Sequence, residues 1–195
     1  GVDFVQNVHV GHDIAMDDLF ARGFDAVFLG TGPGIDRRLR IPGADEYQGI
    51  VQATEFLVRA NASSTRLLAA PGEQTAPGAG ALMARPAGPR VVVVGGTDAA
   101  MDSVRVALRL GSASVTLAFS GAAEDLHARA EELEDARAEG VSFRFGCEPV
   151  AFLGDLAGRL AGIRFQRVEH EASVPHGRRR SFAVPGSEFE LPASM

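Results

Sequence analysis

An α/β fold with a parallel sheet is what this sequence predicts, on three observations. Between residues 90 and 145, short apolar runs alternate with stretches of helical period: VVVV (91–94), 98–110, SVTLAF (114–119), 122–139 and VSFRF (141–145). Each helical stretch closes on a glycine, Gly111 or Gly140, where a helix ends most cheaply. A β-α-β-α-β series with such short links folds into parallel strands with helices on the sheet faces. After residue 149 the period shortens. PVAFLGDLAGRLAGIRFQRVEH predicts a hairpin turning near 154–158, and HGRRRSFAVPG a further turn and strand. About three antiparallel strands result, and the chain is expected to stop at FELPASM with no final strand.

The first half is less regular. GVDFVQNVHVG predicts a strand with Val2, Phe4, Val8 and Val10 apolar, and DIAMDDLFARGFDAV a short helix around Met16, Leu19 and Phe20. Ala26–Leu29 predicts a buried strand ending in a glycine turn. Pro33, Gly34, Pro42 and Gly43 mark a crossing segment, and 45–60 predicts a helix through Ile50, Val51, Phe56 and Leu57. Residues 61–90 are rich in Ala, Pro, Gly and Ser and predict a long loop, in part disordered.

Composition narrows the function classes. The chain has 195 residues, 46% hydrophobic and 23% charged, with a net charge of −6, so a nucleic-acid footprint is not expected. All 19 basic residues are arginine, which excludes a Schiff-base or P-loop lysine. One cysteine, Cys147, gives no internal disulfide and no cysteine-built cluster. Neither a membrane helix nor a signal peptide is legible, and the cytoplasm is the expected compartment.

The stretch VVVVGGTDAAMD (91–102) carries the chemistry. A dinucleotide pyrophosphate is met by backbone N–H groups at a helix N-terminus. A first glycine makes the tight turn, a second lets the backbone approach the phosphates, and a third small residue lets helix and strand pack. Gly95, Thr97 and Ala100 take these places, with Gly96 between the first two. The pattern, GxTxxA, follows a strand and opens a helix, as a Rossmann-like site requires. Thr97 stands where a glycine is wanted. The end of the second strand, where an acid reads ribose hydroxyls or an arginine reads a 2′-phosphate, is Phe119-Ser120-Gly121, which carries neither. Asp98 is placed to cap the helix, where its carboxylate competes with a phosphate for the same N–H groups.

Several stretches together resemble one family: FDAVFLGTG (24–32), RIPGAD (40–45), VVVVGGTDAAMDSVRVALRLG (91–111), VTLAF (115–119), EGVSFRF (139–145), PVAFLGD (149–155) and GRRRSFAVPGSEFELPA (177–193). They are similar to the small subunit of bacterial glutamate synthase and its relatives, flavoproteins with two dinucleotide-binding domains, and to the N-terminal half of dihydropyrimidine dehydrogenase. The resemblance implies that NAD(P)H reduces FAD and that electrons leave through iron–sulfur clusters to a partner. It implies part of an FAD domain over 1–45, a helix and flexible linker over 46–90, and an NAD(P)H domain over 91–195 lacking its last strand. Gly30, Thr31 and Gly32 would lie by FAD, and Gly95, Gly96, Thr97, Asp98, Ala99 and Ala100 would hold the pyrophosphate of NAD(P)H. The implied partners are the remainder of the flavoprotein subunit and a larger catalytic or iron–sulfur subunit; no residue is assigned a catalytic or metal-binding role. The family's cluster cysteines and first FAD fingerprint are absent, so a fragment of a longer subunit or a truncated paralogue is expected. Its usual GGGxTAMD reads GGTDAAMD here, and its Tyr-Arg-Arg run after the second strand reads Phe-Ser-Gly. A rival reading follows: a non-binding domain kept for structure or docking in a larger electron-transfer complex.

Other constellations read more plainly as surface. His9, His12 and Asp13 lack a third metal ligand of clear spacing. Arg178–Arg180 reads as a solvated turn. The acidic helix EDLHARAEELEDARAEG reads as a solvated face with Glu–Arg pairs at helical spacing. Cys147 has no base beside it in the sequence, so a small buried residue is its default.

Overall fold

A computed structural model describes residues 1–32, 38–66, 88–126, 128–170 and 181–195. The chain divides into two compact units, residues 1–35 and 36–195.

The first unit contains helix α1 (Met16–Ala21), which is where the sequence predicts it. Asp18 Oδ2 accepts from the Ala15 N–H at 2.9 Å and closes its first turn. The strands expected over 1–11 and 26–29 do not form; residues 1–32 hold a single isolated bridge, Val10 to Ile14. Phe4 and Phe28 are 85% and 95% exposed, so Ala26–Leu29 is not buried either. A strand is stabilised by hydrogen bonds to a neighbour, and no described segment pairs with these residues.

The second unit begins with an irregular segment and helix α2 (Ala53–Arg66). The helix expected over 45–60 therefore starts eight residues late. Gln48 instead bonds across to the later hairpin, its N–H to Gly158 O and its carbonyl to Leu160 N–H, at 2.9 Å each. Those bonds, and the isolated bridge from Gln48 to Arg159, hold 45–52 out of helix, in turns and irregular chain. The helix also takes up 61–66 from the expected linker; residues 67–87 lie outside the described chain.

The α/β core follows: β1 (Arg90–Val94), α3 (Asp98–Arg109), β2 (Ser114–Phe119), a 3-10 turn (Ala123–Asp125), α4 (Ala130–Ala138) and β3 (Ser142–Phe145). The strands lie in the order β1-β2-β3, all parallel, with Val91 opposite Val115 and Phe119 opposite Phe145. The predicted continuous helix over 122–139 is broken into the 3-10 turn and α4. The expected ion pairs within it give way to pairs reaching α3: Glu139 receives Arg105 at 2.7 Å and Arg109 at 3.8 Å.

Strand alternation divides the core. Val91, Val115 and Leu117, with Val93 at their margin, pack with Met101, Val104 and Ala107 of α3 and Phe56 and Ala60 of α2. Val92, Val94 and Ala118 pack on the other face, against Phe152, Ile163 and Phe165. Each large apolar side chain so buried contributes about 1.5–3 kcal/mol. Ser103 of α3 is buried; its hydroxyl donates to Ala99 O at 2.7 Å, which satisfies it.

The second face is covered by an antiparallel sheet of β4 (Cys147–Gly154), β5 (Leu160–His170), β6 (Ser181–Ala183) and β7 (Phe189–Pro192). Its centre is β5, with β4 along one edge and β6 and β7 along the other. Phe189–Pro192 is thus a strand, contrary to expectation. Past it, Ser194 N–H donates to Arg90 O at 2.8 Å, and Met195 O accepts from Val92 N–H at 2.9 Å, so these residues lie along the outer edge of β1. Arg178–Arg180 lie outside the described residues.

Candidate nucleotide-binding site

The first turn after β1 is built by Gly95. Its N–H extends the β1–β2 pairing by donating to Ala118 O at 3.0 Å, and its φ of 138° is a conformation L side chains rarely adopt. Gly96 is buried for a different reason. A Cβ on Gly96 would sit 2.5 Å from Phe119 Cε2, and one on Gly121 would sit 2.6 Å from Phe119 Cε1. The Phe119 ring is held between the loop after β1 and the loop after β2, and glycine on each side makes room for it.

Thr97 and Asp98 are exposed at the mouth of α3, Ala99 is half-buried and Ala100 is buried. The residue in the capping position is Thr97, at φ −97° and ψ 168°, and not Asp98, which is the first helical residue. No side-chain capping bond forms at this end. Thr97 O accepts from Ala100 N–H at 2.9 Å and from Met101 N–H at 3.2 Å. The N–H groups of Asp98 and Ala99 precede that ladder, so they have no partner inside the helix. This is a helix start open to an anion, with an extended, non-glycine residue at its rim and a carboxylate one residue in. Ala100 lies under Gly95, 3.9 Å from a Cβ built there, which is the small-residue packing expected of it.

The flank of α3 borders an open groove of about 610 Å³ lined by Asp98, Asp102, Arg105, Leu126, Arg129 and Glu132, among others. The Arg105 guanidinium holds the Glu139 carboxyl below its ordinary range through two hydrogen bonds, at 2.7 and 3.3 Å.

The ends of the parallel strands are tied to the second sheet through the backbone. Gly146 N–H donates to Gly121 O at 3.0 Å, and Gly146 O accepts from Val168 N–H at 2.9 Å. Two residues beyond Val168, the His170 ring lies with Nε2 2.6 Å from Ser120 O. No sequence signal singles out His170, because its contact spans 50 positions. Cys147 beside this junction is buried, with Sγ 3.5 Å from Arg144 O, and burial pushes its thiol up.

Gly30, Thr31 and Gly32 lie in the first unit and are exposed. Among the described residues no cluster of His, Cys, Asp and Glu is arranged to hold a metal. The His9 and His12 rings stack on one another, and the Asp13 carboxyl is kept below its ordinary range by the His9 backbone N–H and the His12 ring. Among the same residues no helix is long and apolar enough to cross a membrane.

No family model matches the chain. Curated relatives do. Over 194 residues it is 36% identical to the glutamate synthase [NADPH] small chain of Escherichia coli, covering 99% of this chain and 39% of that one. Over 193 residues it is 38% identical to the corresponding small chain of Halomonas elongata, covering 99% and 38%. Among solved structures it is similar to FprA of Mycobacterium tuberculosis in complex with NADPH, with a TM-score of 0.67 and 23% identity over 97% of this chain and 52% of that one. The chain thus spans about two fifths of the length of those curated relatives, and its fold is that of flavoprotein reductases with two dinucleotide-binding domains.

Proposed function

We propose that this chain, a homologue of glutamate synthase small chains along nearly its whole length, is the NAD(P)H-binding segment of an FAD-dependent oxidoreductase. The observation that carries the reading is the start of α3. Gly95 turns the chain, Gly96 and Ala100 pack beneath, and the Asp98 and Ala99 N–H groups are free of helical partners. Those residues fit a pyrophosphate, with Thr97 as the residue the phosphates must pass. Bound NAD(P)H would supply a hydride, two electrons and a proton together, to FAD. The chain's own part is to hold and orient the dinucleotide. Gly30, Thr31 and Gly32 are assigned to the FAD side. Onward transfer to iron–sulfur clusters, the rest of the flavoprotein subunit and a larger partner subunit belong to the same proposal.

A second reading is favoured by one observation: Thr97 is exposed at the rim where the loop has lost a glycine. On that reading the domain keeps its fold for docking and binds no nucleotide. An anaerobic titration of the flavin-loaded full-length parent protein with NADH and with NADPH, followed by flavin absorbance, separates the two. Bleaching by either nucleotide supports the oxidoreductase. Bound FAD that stays oxidised with both supports the docking domain.

A further inference from the structure

We draw no further inference here: the strongest candidate, the open groove of about 710 Å³ between the edge strand β3 and strands β5 and β7, lined by Phe143, Arg144, Phe145, Arg167 and Phe189 among others, carries nothing because no feature of the structure shows what covers it.

Discussion

Replacing Gly96 with alanine tests the packing that shapes the loop. The new methyl would lie 2.5 Å from Phe119 Cε2 and 2.7 Å from both Cδ2 and Cζ. Carbon atoms pack best at about 3.5–4.0 Å, so the shortfall is roughly 1 Å. A phenyl ring often yields by turning away, but here the way is closed. Gly121 flanks the same ring, and a Cβ there would meet it at 2.6 and 2.8 Å. Moving away from the added methyl therefore drives the ring toward the Gly121 backbone and the Asp125 side chain. Overpacking of this kind costs about 1–3 kcal/mol. In a domain of this size that lowers the melting temperature by roughly 2–4 °C per kcal/mol. The assay is calorimetry or denaturant unfolding of four proteins: wild type, Gly96→Ala, Phe119→Leu and the double variant. The smaller, more mobile leucine relieves the contact, so the cost of Gly96→Ala is expected to fall by at least half in its presence, a coupling readable from the cycle. A Gly96→Ala cost below about 0.5 kcal/mol would refute the reasoning. So would a full cost that persists in the Phe119→Leu background, which would place the strain in the backbone.

Three further outcomes are expected. Thr97→Gly removes an exposed side chain that makes no capping bond, from a backbone at φ −97° that glycine also adopts, so NAD(P)H affinity rises several-fold; an unchanged dissociation constant would show that Thr97 does not limit the loop. Glu139 is held low by Arg105, so its contribution to stability is fully present above the ordinary glutamate range of about 4.3 and is lost as pH falls through the lowered folded value; Arg105→Ala should flatten the stability–pH curve in that acidic window and leave its shape near neutrality unchanged. Cys147 is 2% exposed with its thiol pushed up by burial, so a thiol reagent should modify it only as fast as the region opens; labelling at the rate of a free thiol in the native protein would contradict its placement.

The parts of this molecule that are legible in the sequence are those whose cause is local. The β1–α3 unit announces itself because four valines, a glycine turn and a helix-period stretch are contiguous. The β4–β5 hairpin is legible for the same reason: alternation on both arms and a turn between them. Failures fall where the cause is a partner distant in sequence. Residues 45–52 carry a helical pattern, yet Gln48 is held by Gly158 and Leu160, more than a hundred positions away. FELP reads as a tail until β5 is in place to pair with it. In residues 1–11 and 26–29 the apolar pattern predicts strands, but an apolar pattern supplies no hydrogen-bonding neighbour.

The two glycines of the loop serve different needs of the fold. The fingerprint assigns Gly95 to the tight turn and leaves Gly96, between its first two places, without a role. The structure divides them. Gly95 serves the turn through its φ of 138°, while Gly96 serves the Phe119 ring, which Gly121 accommodates from the other side. Both demands are present before any nucleotide arrives, and both persist if none ever does. Retention of GG at 95–96 therefore speaks for the fold and is neutral about binding. The positions of the loop that the fold leaves free are Thr97 and Asp98, exposed at the rim of α3. Substitutions that separate the oxidoreductase from a docking domain are made at those two residues, because changes at Gly95, Gly96 or Phe119 weaken the fold on either reading.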